Sequence, residues 1–533
     1  MRKSNKRTRA WLAAILLFLI SVSCDLSAIS PSFRTSAGEP DADAAETGDL
    51  LAQDKVVLTP SEALLLATPT SSPSTSNDIT PVETQSAQPP TIPQRTLSPD
   101  GPWYAFLADD GIWALNPDGS GLTHLVDDIV VAPIDLKAGA KGSTLAFVTA
   151  DNAFNLRNLT LKLLKLPEGS VETITPLLAP GNQPAENPKV CDPKYEAARA
   201  VKVYNGLSWS ADGSKLAFIG AIDGPTADLY VYRPADGSIT RLTDGPSQAY
   251  GVNWSLRDDY IIHFGVSCFG TGAGFNMTGA WAADPDTGDV IDLYTPGQDS
   301  YGEEFANNYW SAGDAFFVVT HSGCPARDLR MVDMQTREVT MVHEGCFWDY
   351  RVYPPEIIAV LSGADFSDQP GLYLYSPEAP FQLLKYIPFE NGQELGRFGN
   401  MFMVKNIDHS KPLHVISSVN IPDGSPGWYQ GQGEIPLKHP ATDRSYAWSE
   451  DDNFYFLREG AAAPVLLSDR GARFPYWVED ISGPVGDITI RLLYFTGIDP
   501  ATLYIASEPD FIPVPVGEGL MPRGEFIWLF KPQ

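Results

Sequence analysis

Basic residues, cysteines and long hydrophobic runs are all scarce in this sequence of 533 residues. Its 37 lysines and arginines are outnumbered by 66 aspartates and glutamates, which gives a net charge of −29. Nucleic-acid binding requires clustered cations, and an acidic surface repels a phosphate backbone. The composition therefore excludes a nucleic-acid partner, whereas 43% hydrophobic residues are sufficient for a large folded core.

The motifs of several enzyme classes are missing as well. The seven histidines and five cysteines form neither a His-Glu-x-x-His nor a Cys-x-x-Cys motif, which are common zinc-binding patterns. The sequence also lacks the Gly-x-Ser-x-Gly pentapeptide of α/β hydrolases and a glycine-rich phosphate-binding loop. We therefore expect no catalytic residues, no cofactor and no enzymatic activity.

The one long apolar run lies at the N-terminus, at residues 10–20, after five basic residues within the first nine positions. This run is too short to span a membrane, and its layout is typical of a signal peptide. Residues 20–24 resemble a bacterial lipobox, which predicts a signal peptide over residues 1–23 and lipid attachment at Cys24. An ordinary cleaved signal and an uncleaved anchor are the alternatives. We expect an extracytoplasmic protein that is anchored to the bacterial cell membrane by its lipid.

Residues 24–95 show no periodic apolar pattern, and serine, threonine, proline and glutamine dominate residues 68–93. Such a composition buries too little apolar surface to offset the entropy of ordering. We expect a disordered tether between the lipid and a folded domain at residues 96–533.

The folded region repeats a pattern of short strands and tight turns. Its clearest copy runs from Gly206 to Ile219 and continues from Asp228 to Thr243. Asp-Gly pairs lie where tight hairpins need a positive φ angle. Comparable second strands begin at Tyr104, Leu145, Leu216, Ile261, Phe316, Ile357, Phe454 and Leu492.

Most of these spacings fit a four-stranded blade of about 40 to 45 residues, which predicts an all-β protein with a single β-propeller. The pattern favours eight blades, with seven next and six possible, and two stacked β-sandwiches are the rival architecture. Insertions fall near residues 180–203, where a proline-rich loop is expected, and near residues 387–440, where there is room for a further blade. The first unit lacks an innermost strand, and residues 526–530 are expected to supply it.

The repeat resembles the WD40-like repeat of TolB-type periplasmic propellers, most clearly over residues 98–126 and 206–258. The resemblance implies an extracytoplasmic, protein-binding scaffold without catalytic residues. The small α/β domain that precedes the propeller in TolB-type proteins has no counterpart here, because only the tether stands at that position.

Several residues in the repeats have both a structural and a functional interpretation. Asp-Gly turns explain four aspartates better than ligand binding does: Asp100, Asp118, Asp212 and Asp236. Four tryptophans are placed at the ends of innermost strands and are expected to pack between blades, with an aromatic ligand platform as the alternative: Trp209, Trp254, Trp310 and Trp448. His263 and His321 occupy similar places in neighbouring units, where ordinary burial is favoured over a shared site.

Acidic residues follow several fourth strands, at positions expected to share one face of the ring. They are Asp127, Asp128, Asp244, Asp299, Glu303, Glu304, Glu344 and Asp349. Carboxylates at such a face are candidates for holding Ca²⁺ or attracting a cationic partner, and solvated surface charge is the alternative.

Four cysteines remain once Cys24 is assigned to the lipid, and an even number outside the cytoplasm favours disulfides. The propeller register brings all four to loops on one face. Three pairings are possible, and we favour Cys324 with Cys346 and Cys191 with Cys268. Four free thiols are the alternative.

Together these features predict a lipid-anchored, non-catalytic propeller that is monomeric and binds an envelope protein or polymer. The alternative is a propeller hydrolase that acts on glycans or peptides.

Overall fold

The computed structural model describes residues 96–529 with internal gaps. These gaps are residues 110, 129–136, 139–142, 152–155, 203–205, 256–257, 271–276, 296–302, 306–314, 321–325, 354–356, 365–366, 368, 377–380, 389–391, 399–400, 407–413, 418–436, 441–444, 451, 481–487, 498–499 and 524–525. The predicted signal peptide, Cys24 and the tether therefore lie outside the described residues.

Short β-strands dominate the chain from its first described residues to its last. In chain order they are β1 (Trp103–Ala108), β2 (Gly111–Leu115), β3 (Thr123–Val126), β4 (Lys137–Ala138), β5 (Thr144–Thr149), β6 (Thr160–Lys165), β7 (Ser170–Pro176), β8 (Leu207–Trp209), β9 (Leu216–Gly220), β10 (Asp228–Arg233), β11 (Ser238–Arg241), β12 (Gln248–Trp254), β13 (Ile261–Val266), β14 (Met277–Ala283), β15 (Val290–Tyr294), β16 (Glu303–Phe305), β17 (Ala315–Thr320), β18 (Ala326–Asp333), β19 (Val339–Phe347), β20 (Asp349–Tyr353), β21 (Ile357–Ser362), β22 (Gly371–Tyr375), β23 (Leu383–Pro388), β24 (Gly392–Phe398), β25 (Met401–Asn406), β26 (His414–Ser417), β27 (Leu437–Lys438), β28 (Tyr446–Glu450), β29 (Asn453–Leu457), β30 (Val465–Ser468), β31 (Arg473–Asp480), β32 (Thr489–Thr496), β33 (Ala501–Ser507), β34 (Ile512–Leu520) and β35 (Ile527–Leu529). Helical structure is limited to a 3₁₀ turn at Pro180–Asn182 and one α-helix, α1 (Pro193–Lys202), within the described residues.

Apart from β35, which joins the first sheet, strands that follow one another along the chain form the same antiparallel sheet. Sheet 1 contains β35, β1, β2 and β3, and sheets 2 to 6 contain β4 to β7, β8 to β11, β12 to β15, β16 to β19 and β20 to β23. Sheet 7 contains β24 to β26, sheet 8 contains β27 to β30, and sheet 9 contains β31 to β34. Eight of the described sheets have four strands, and sheet 7, built from residues of the predicted second insertion, has three. The predicted class, an all-β propeller of four-stranded blades, is confirmed, but the favoured count of eight blades is wrong, because the described strands form nine sheets.

The hydrophobic cores lie between neighbouring sheets, as expected when blades stack around a ring. One core combines residues of sheets 2, 3 and 4, including Leu161, Phe218 and Val252. Another joins the last sheet to the first through Phe495 and Phe106, whose ring centroids are 5.5 Å apart. The last sheet therefore packs against the first.

The C-terminal strand completes the first sheet, as the sequence predicted. Strand β35 pairs antiparallel with β1, with Trp103 opposite Leu529 and Ala105 opposite Ile527. The edge of β1 is thus hydrogen-bonded within the protein, which avoids an exposed sheet edge.

Two details differ from the sequence-based assignment. The insertion at residues 180–203 was predicted as a loop and contains α1. Trp448 was placed at the end of an innermost strand, but it lies in β28, the second strand of sheet 8. The turn after Trp448 consequently joins the second and third strands, whereas the corresponding turn after Trp209 joins the first and second.

Strand order defines two faces of the propeller. The connections that follow second and fourth strands emerge on one face, which we call the insertion face because it carries residues 177–206. The connections that follow first and third strands emerge on the other, which we call the turn face because it carries the tight turns at residues 116–120, 210–215 and 234–237.

Candidate functional site on the insertion face

The insertion between β7 and β8 is anchored to the sheet beneath it at its beginning. Leu178 forms a β-bridge with Ala221, which follows the second strand of sheet 3. The Asn182 side-chain amide then donates hydrogen bonds to the carbonyls of Ala221, at 2.9 Å, and Gly224. These contacts fix the insertion over the connection between β9 and β10.

A disulfide links this insertion to the next sheet. Cys191 bonds Cys268, which follows β13 of sheet 4, with a Cα to Cα distance of 5.1 Å. The predicted pairing of these two cysteines is confirmed. The bond joins positions 77 residues apart.

The residues beside Cys268 are held by helix α1. Glu196 is fully buried, and its carboxylate accepts the Phe269 backbone N–H at 2.7 Å. Arg199 lies 3.4 Å from the same carboxylate, donates to the Gly270 carbonyl at 3.0 Å, and stacks its guanidinium 5.1 Å from the Phe269 ring centroid. Three consecutive residues after β13 are therefore tied to the insertion.

A second charged cluster fixes the neighbouring connections of sheet 3. Arg241 contacts the carboxylates of Asp228 at 2.7 Å, Asp244 at 2.6 Å and Asp223 at 3.3 Å. Burial raises the pKa of Asp228 above its ordinary value, although the Arg241 guanidinium acts in the opposite direction. This cluster stabilises the loops from which the insertion face is built.

Asp349 lies at the start of β20, where the innermost strands of sheets 6 and 7 meet. Its carboxylate accepts the Leu395 backbone N–H of sheet 7 at 3.0 Å and contacts Arg351 at 2.7 Å. Burial raises the pKa of Asp349 to about 6, even though Arg351 lowers it. The hydrogen bond to Leu395 connects the two sheets next to the ring's axis.

Some carboxylates of the predicted acidic face pair with cations, whereas Asp127 and Glu344 are exposed. Asp128 pairs with Lys162 at 2.6 Å, and Asp244 belongs to the Arg241 cluster. Asp299 and the side chains of Glu303 and Glu304 lie outside the described residues. No group of three or more metal-ligating side chains is found within the described part of the chain.

The aspartates assigned to turns do serve as turn formers where their contacts are described. Asp118, Asp212 and Asp236 each accept the backbone N–H of the serine two residues later, at 2.8 to 2.9 Å. Each is followed by a glycine with a positive φ angle. These carboxylates are occupied in local turn structure on the turn face.

The aromatic and histidine candidates are also mostly structural. Trp254 is buried, and its indole N–H donates to the Ser208 carbonyl of the preceding sheet at 2.9 Å. His263 is buried against Trp281, and burial lowers its pKa to about 4. His321 and Trp310 lie outside the described residues.

Of the second predicted cysteine pair, Cys346 is disulfide-bonded, and Cys324 lies outside the described residues. The pairing of these two cysteines therefore stays a prediction. Cys346 ends its blade's fourth strand, β19, on the insertion face. No helix in the described part of the chain has the length and apolar character needed to cross a membrane.

No protein-family model matches the sequence, and the search of curated proteins finds no match. Solved structures with a similar fold include TolB from Acinetobacter baumannii, at 14% identity and a TM-score of 0.28, over 56% of this chain and 66% of TolB. They also include the dihydro-heme d1 dehydrogenase NirN, at 10% identity and a TM-score of 0.43, over 82% of this chain and 77% of NirN. Porphyromonas gingivalis dipeptidyl peptidase 4 is similar at 11% identity and a TM-score of 0.43, over 76% of this chain and 64% of the peptidase.

These similarities extend to the fold alone, and the chain spans slightly less than two thirds of TolB and of the dipeptidyl peptidase. They correct one sequence-based expectation. The expectation that the chain has no enzymatic activity was wrong, because four of the similar structures are peptidases.

Proposed function

We propose that this chain is a lipid-anchored, extracytoplasmic binding protein whose insertion face holds another macromolecule of the bacterial cell envelope. The observation that carries the proposal is the fixed arrangement of that face. A disulfide, a buried ion pair and a helix cap all act on one inserted segment and on the loop beside it. A rigid surface loses little entropy on binding, so such preorganisation favours recognition.

The position of the N-terminal segment supports the same interpretation. The Ser98 backbone N–H donates to the Asn116 side chain at 2.8 Å, and Asn116 begins the turn after β2 on the turn face. The first described residues thus lie on the turn face, and they do not cover the insertion face.

A capture experiment with the full-length lipoprotein tests the proposal. Purified protein is incubated with detergent-solubilised envelope from the native cells, and retained polypeptides and polymers are identified by mass spectrometry. We expect wild-type protein to retain an envelope macromolecule and the double variant Cys191→Ser/Cys268→Ser to retain much less. Equal retention by a folded double variant would contradict the proposal.

Hydrolysis of glycans and peptides is measured on the same samples. Turnover that is lost on substitution of a single carboxylate would favour the hydrolase and would make the retained molecule a substrate. Stable retention without turnover supports binding as the function.

A further inference from the structure

We propose that the disulfide between Cys191 and Cys268 is a thiol-exchange site, at which a dithiol reductant frees residues 185–191 of the insertion face. The reductant is a protein dithiol that acts in the same compartment as this chain. The effect of the exchange on binding rests on the proposed function, whereas the chemistry and the release of the segment do not.

The two cysteines of this disulfide differ in their access to solvent. Cys191 is exposed, whereas Cys268 is only 4% exposed. Thiol exchange begins when a thiolate attacks one sulfur, and the rate depends on which sulfur that thiolate can reach. An external thiolate therefore attacks the Sγ atom of Cys191 and expels that of Cys268.

The environment of Cys268 favours its departure as a thiolate. The Gly270 backbone N–H donates a hydrogen bond to the Cys268 Sγ atom at 3.2 Å. A thiolate accepts such a bond more strongly than a neutral sulfur does, so the N–H stabilises the leaving group. Glu196 and Arg199 contact the next two residues of the loop, but their opposite charges offset each other.

The exchange takes place in two steps and transfers two electrons. In the first step a bond forms between the attacking sulfur and Cys191 Sγ, the bond to Cys268 breaks, and its electron pair stays on Cys268 Sγ. In the second step the other thiolate of the reductant attacks its own partner sulfur in the mixed disulfide and expels the Cys191 thiolate. The reductant becomes a disulfide, both cysteines become thiols, and the two protons come from the thiols of the reductant.

The segment that carries Cys191 has little else to hold it in place. Glu186 lies 3.9 Å from Arg157, and an ion pair between exposed side chains contributes little stability. Cys191 has a φ angle of 61°, which costs free energy for a non-glycine residue, and release of the segment removes this cost. Most residues of the segment are exposed, namely Ala185, Glu186, Asn187, Lys189, Val190 and Cys191.

The residues on either side of the segment keep contacts that do not depend on the disulfide. The Asn182 side chain donates to the Ala221 carbonyl, and the Glu196 carboxylate accepts the Phe269 N–H. Reduction should therefore free residues 185–191 and leave α1 and the propeller in place.

Graded reduction of the full-length protein tests the exchange. The protein is incubated with increasing concentrations of dithiothreitol, a small dithiol, and free thiols are alkylated and mapped by mass spectrometry. The disulfide of Cys346, which is half-buried in β19, is the internal control. We expect Cys191 and Cys268 to become alkylated at a roughly tenfold lower concentration than Cys346. Reduction of both disulfides at the same concentration, or of Cys346 first, would overturn the inference.

Trapping of the mixed disulfide identifies the sulfur that is attacked. A thioredoxin-type protein whose second active-site cysteine is replaced by serine stops after the first step, so the mixed disulfide accumulates. We expect Cys191 to carry the adduct and Cys268 to be a free thiol. An adduct mainly on Cys268 would overturn the assigned direction of attack.

Limited trypsin digestion measures what reduction releases, and the chain provides a matched pair of sites. Lys189 lies in the segment and Lys194 lies in α1, and both are exposed. After selective reduction and alkylation, we expect cleavage after Lys189 to be roughly tenfold faster and cleavage after Lys194 to be unchanged, because freed segments are preferred sites of proteolysis. Unchanged cleavage after Lys189, or equal acceleration at both sites, would overturn the inference.

Capture of an envelope macromolecule separates this exchange from the proposed function. We expect capture to fall roughly fivefold on selective reduction and to return on reoxidation, since the freed segment loses its preorganisation. Equal capture by the oxidised and reduced forms would show that the exchange does not regulate binding. If the oxidised protein captures nothing, the proposed function fails, whereas alkylation, trapping and digestion still decide the exchange.

Discussion

Glu196 is the residue on which the geometry of the insertion most depends, because its buried carboxylate serves two partners from different parts of the chain. It accepts the Phe269 N–H and neutralises Arg199. A buried charge is tolerated only when paired and hydrogen-bonded, so this arrangement specifies where the loop after β13 lies.

The Glu196→Gln substitution should destabilise the protein by about 3 kcal/mol, because it leaves the partly buried Arg199 without its counter-charge. Urea unfolding at neutral pH measures this difference. Glu172→Gln breaks the exposed pair with Lys165 and should cost less than about 1 kcal/mol. Equal effects of the two substitutions would show that the buried pair has no special structural role.

The buried Asp349 carboxyl should make the stability of the folded protein depend on pH. Its pKa in the folded protein is about 6, above the ordinary value of 3.8, so folding takes up a proton between these two values. The contribution of protonated Asp349 to the free energy of unfolding is fully present below about pH 4, and it is lost as the pH rises through 6. Asp349→Asn should therefore gain about 2 kcal/mol relative to the wild type between pH 4 and pH 7.

Unfolding curves at several pH values test this gain, with Asp510→Asn as the control at an exposed position. A difference between Asp349→Asn and wild type that does not change with pH would mean that folding does not shift the pKa of Asp349. The neutral amide retains an acceptor for the Leu395 N–H, so the hydrogen bond between sheets can persist.

Among the elements, the C-terminal strand has the clearest role because it closes the ring. Phe526, just before β35, is buried, and its ring centroid lies 5.2 Å from that of Phe106 and 5.5 Å from that of Phe495. It thus contacts both the first sheet and the last. Phe526 should therefore contribute to the free energy of unfolding as much as other large core side chains do.

Phe526→Ala should cost about 3 to 5 kcal/mol, since it opens a cavity where the ring closes. Ile512→Ala removes an exposed side chain from β34 and should change stability by less than about 0.5 kcal/mol. Thermal unfolding measured by circular dichroism compares the two variants. A small effect of Phe526→Ala would contradict closure through this strand.

Much of the element pattern was predictable from the sequence because the repeat combines two local rules. Strand residues are apolar or β-branched, and Asp-Gly marks the turns, so β9 to β11 and their turns follow directly from residues 206–243. The closing strand was predictable because the first unit had three strands and residues 526–530 had no other partner.

The sequence was less informative where a local signal had two meanings. Trp448-Ser449 resembles the end of a first strand, yet pairing with β27 places it in a second strand. Helix α1 was missed because a proline-rich insertion was interpreted as a loop, although Asp192-Pro193 is a typical helix start. The Glu196 contacts were not predictable, because they join residues 73 positions apart in the chain.

For the whole molecule, the state of the cysteines tests both the disulfide pairing and the expected oxidising compartment. The Cys191 to Cys268 bond closes a long loop, and its removal should cost about 4 kcal/mol in the chain-entropy view. Non-reducing peptide mapping of the exported protein should recover this bond together with Cys324 to Cys346. Four alkylatable thiols would contradict an oxidising compartment, and a different partner for Cys346 would correct the predicted pairing.

We propose that the insertion face, and not the turn face, is the binding surface of the propeller. Matched positions exist on the two faces, since Ala185 and Ala235 are both exposed alanines, the first in the insertion and the second in the turn between β10 and β11. Each is replaced by cysteine in the full-length protein and conjugated to a polyethylene glycol chain, which blocks one face without changing the core.

Capture of an envelope macromolecule by these two conjugates tests which face binds. We predict that the Ala185→Cys conjugate loses capture and that the Ala235→Cys conjugate captures as well as the unmodified protein. Normal capture by the Ala185→Cys conjugate together with loss by the Ala235→Cys conjugate would contradict the assignment of the binding face.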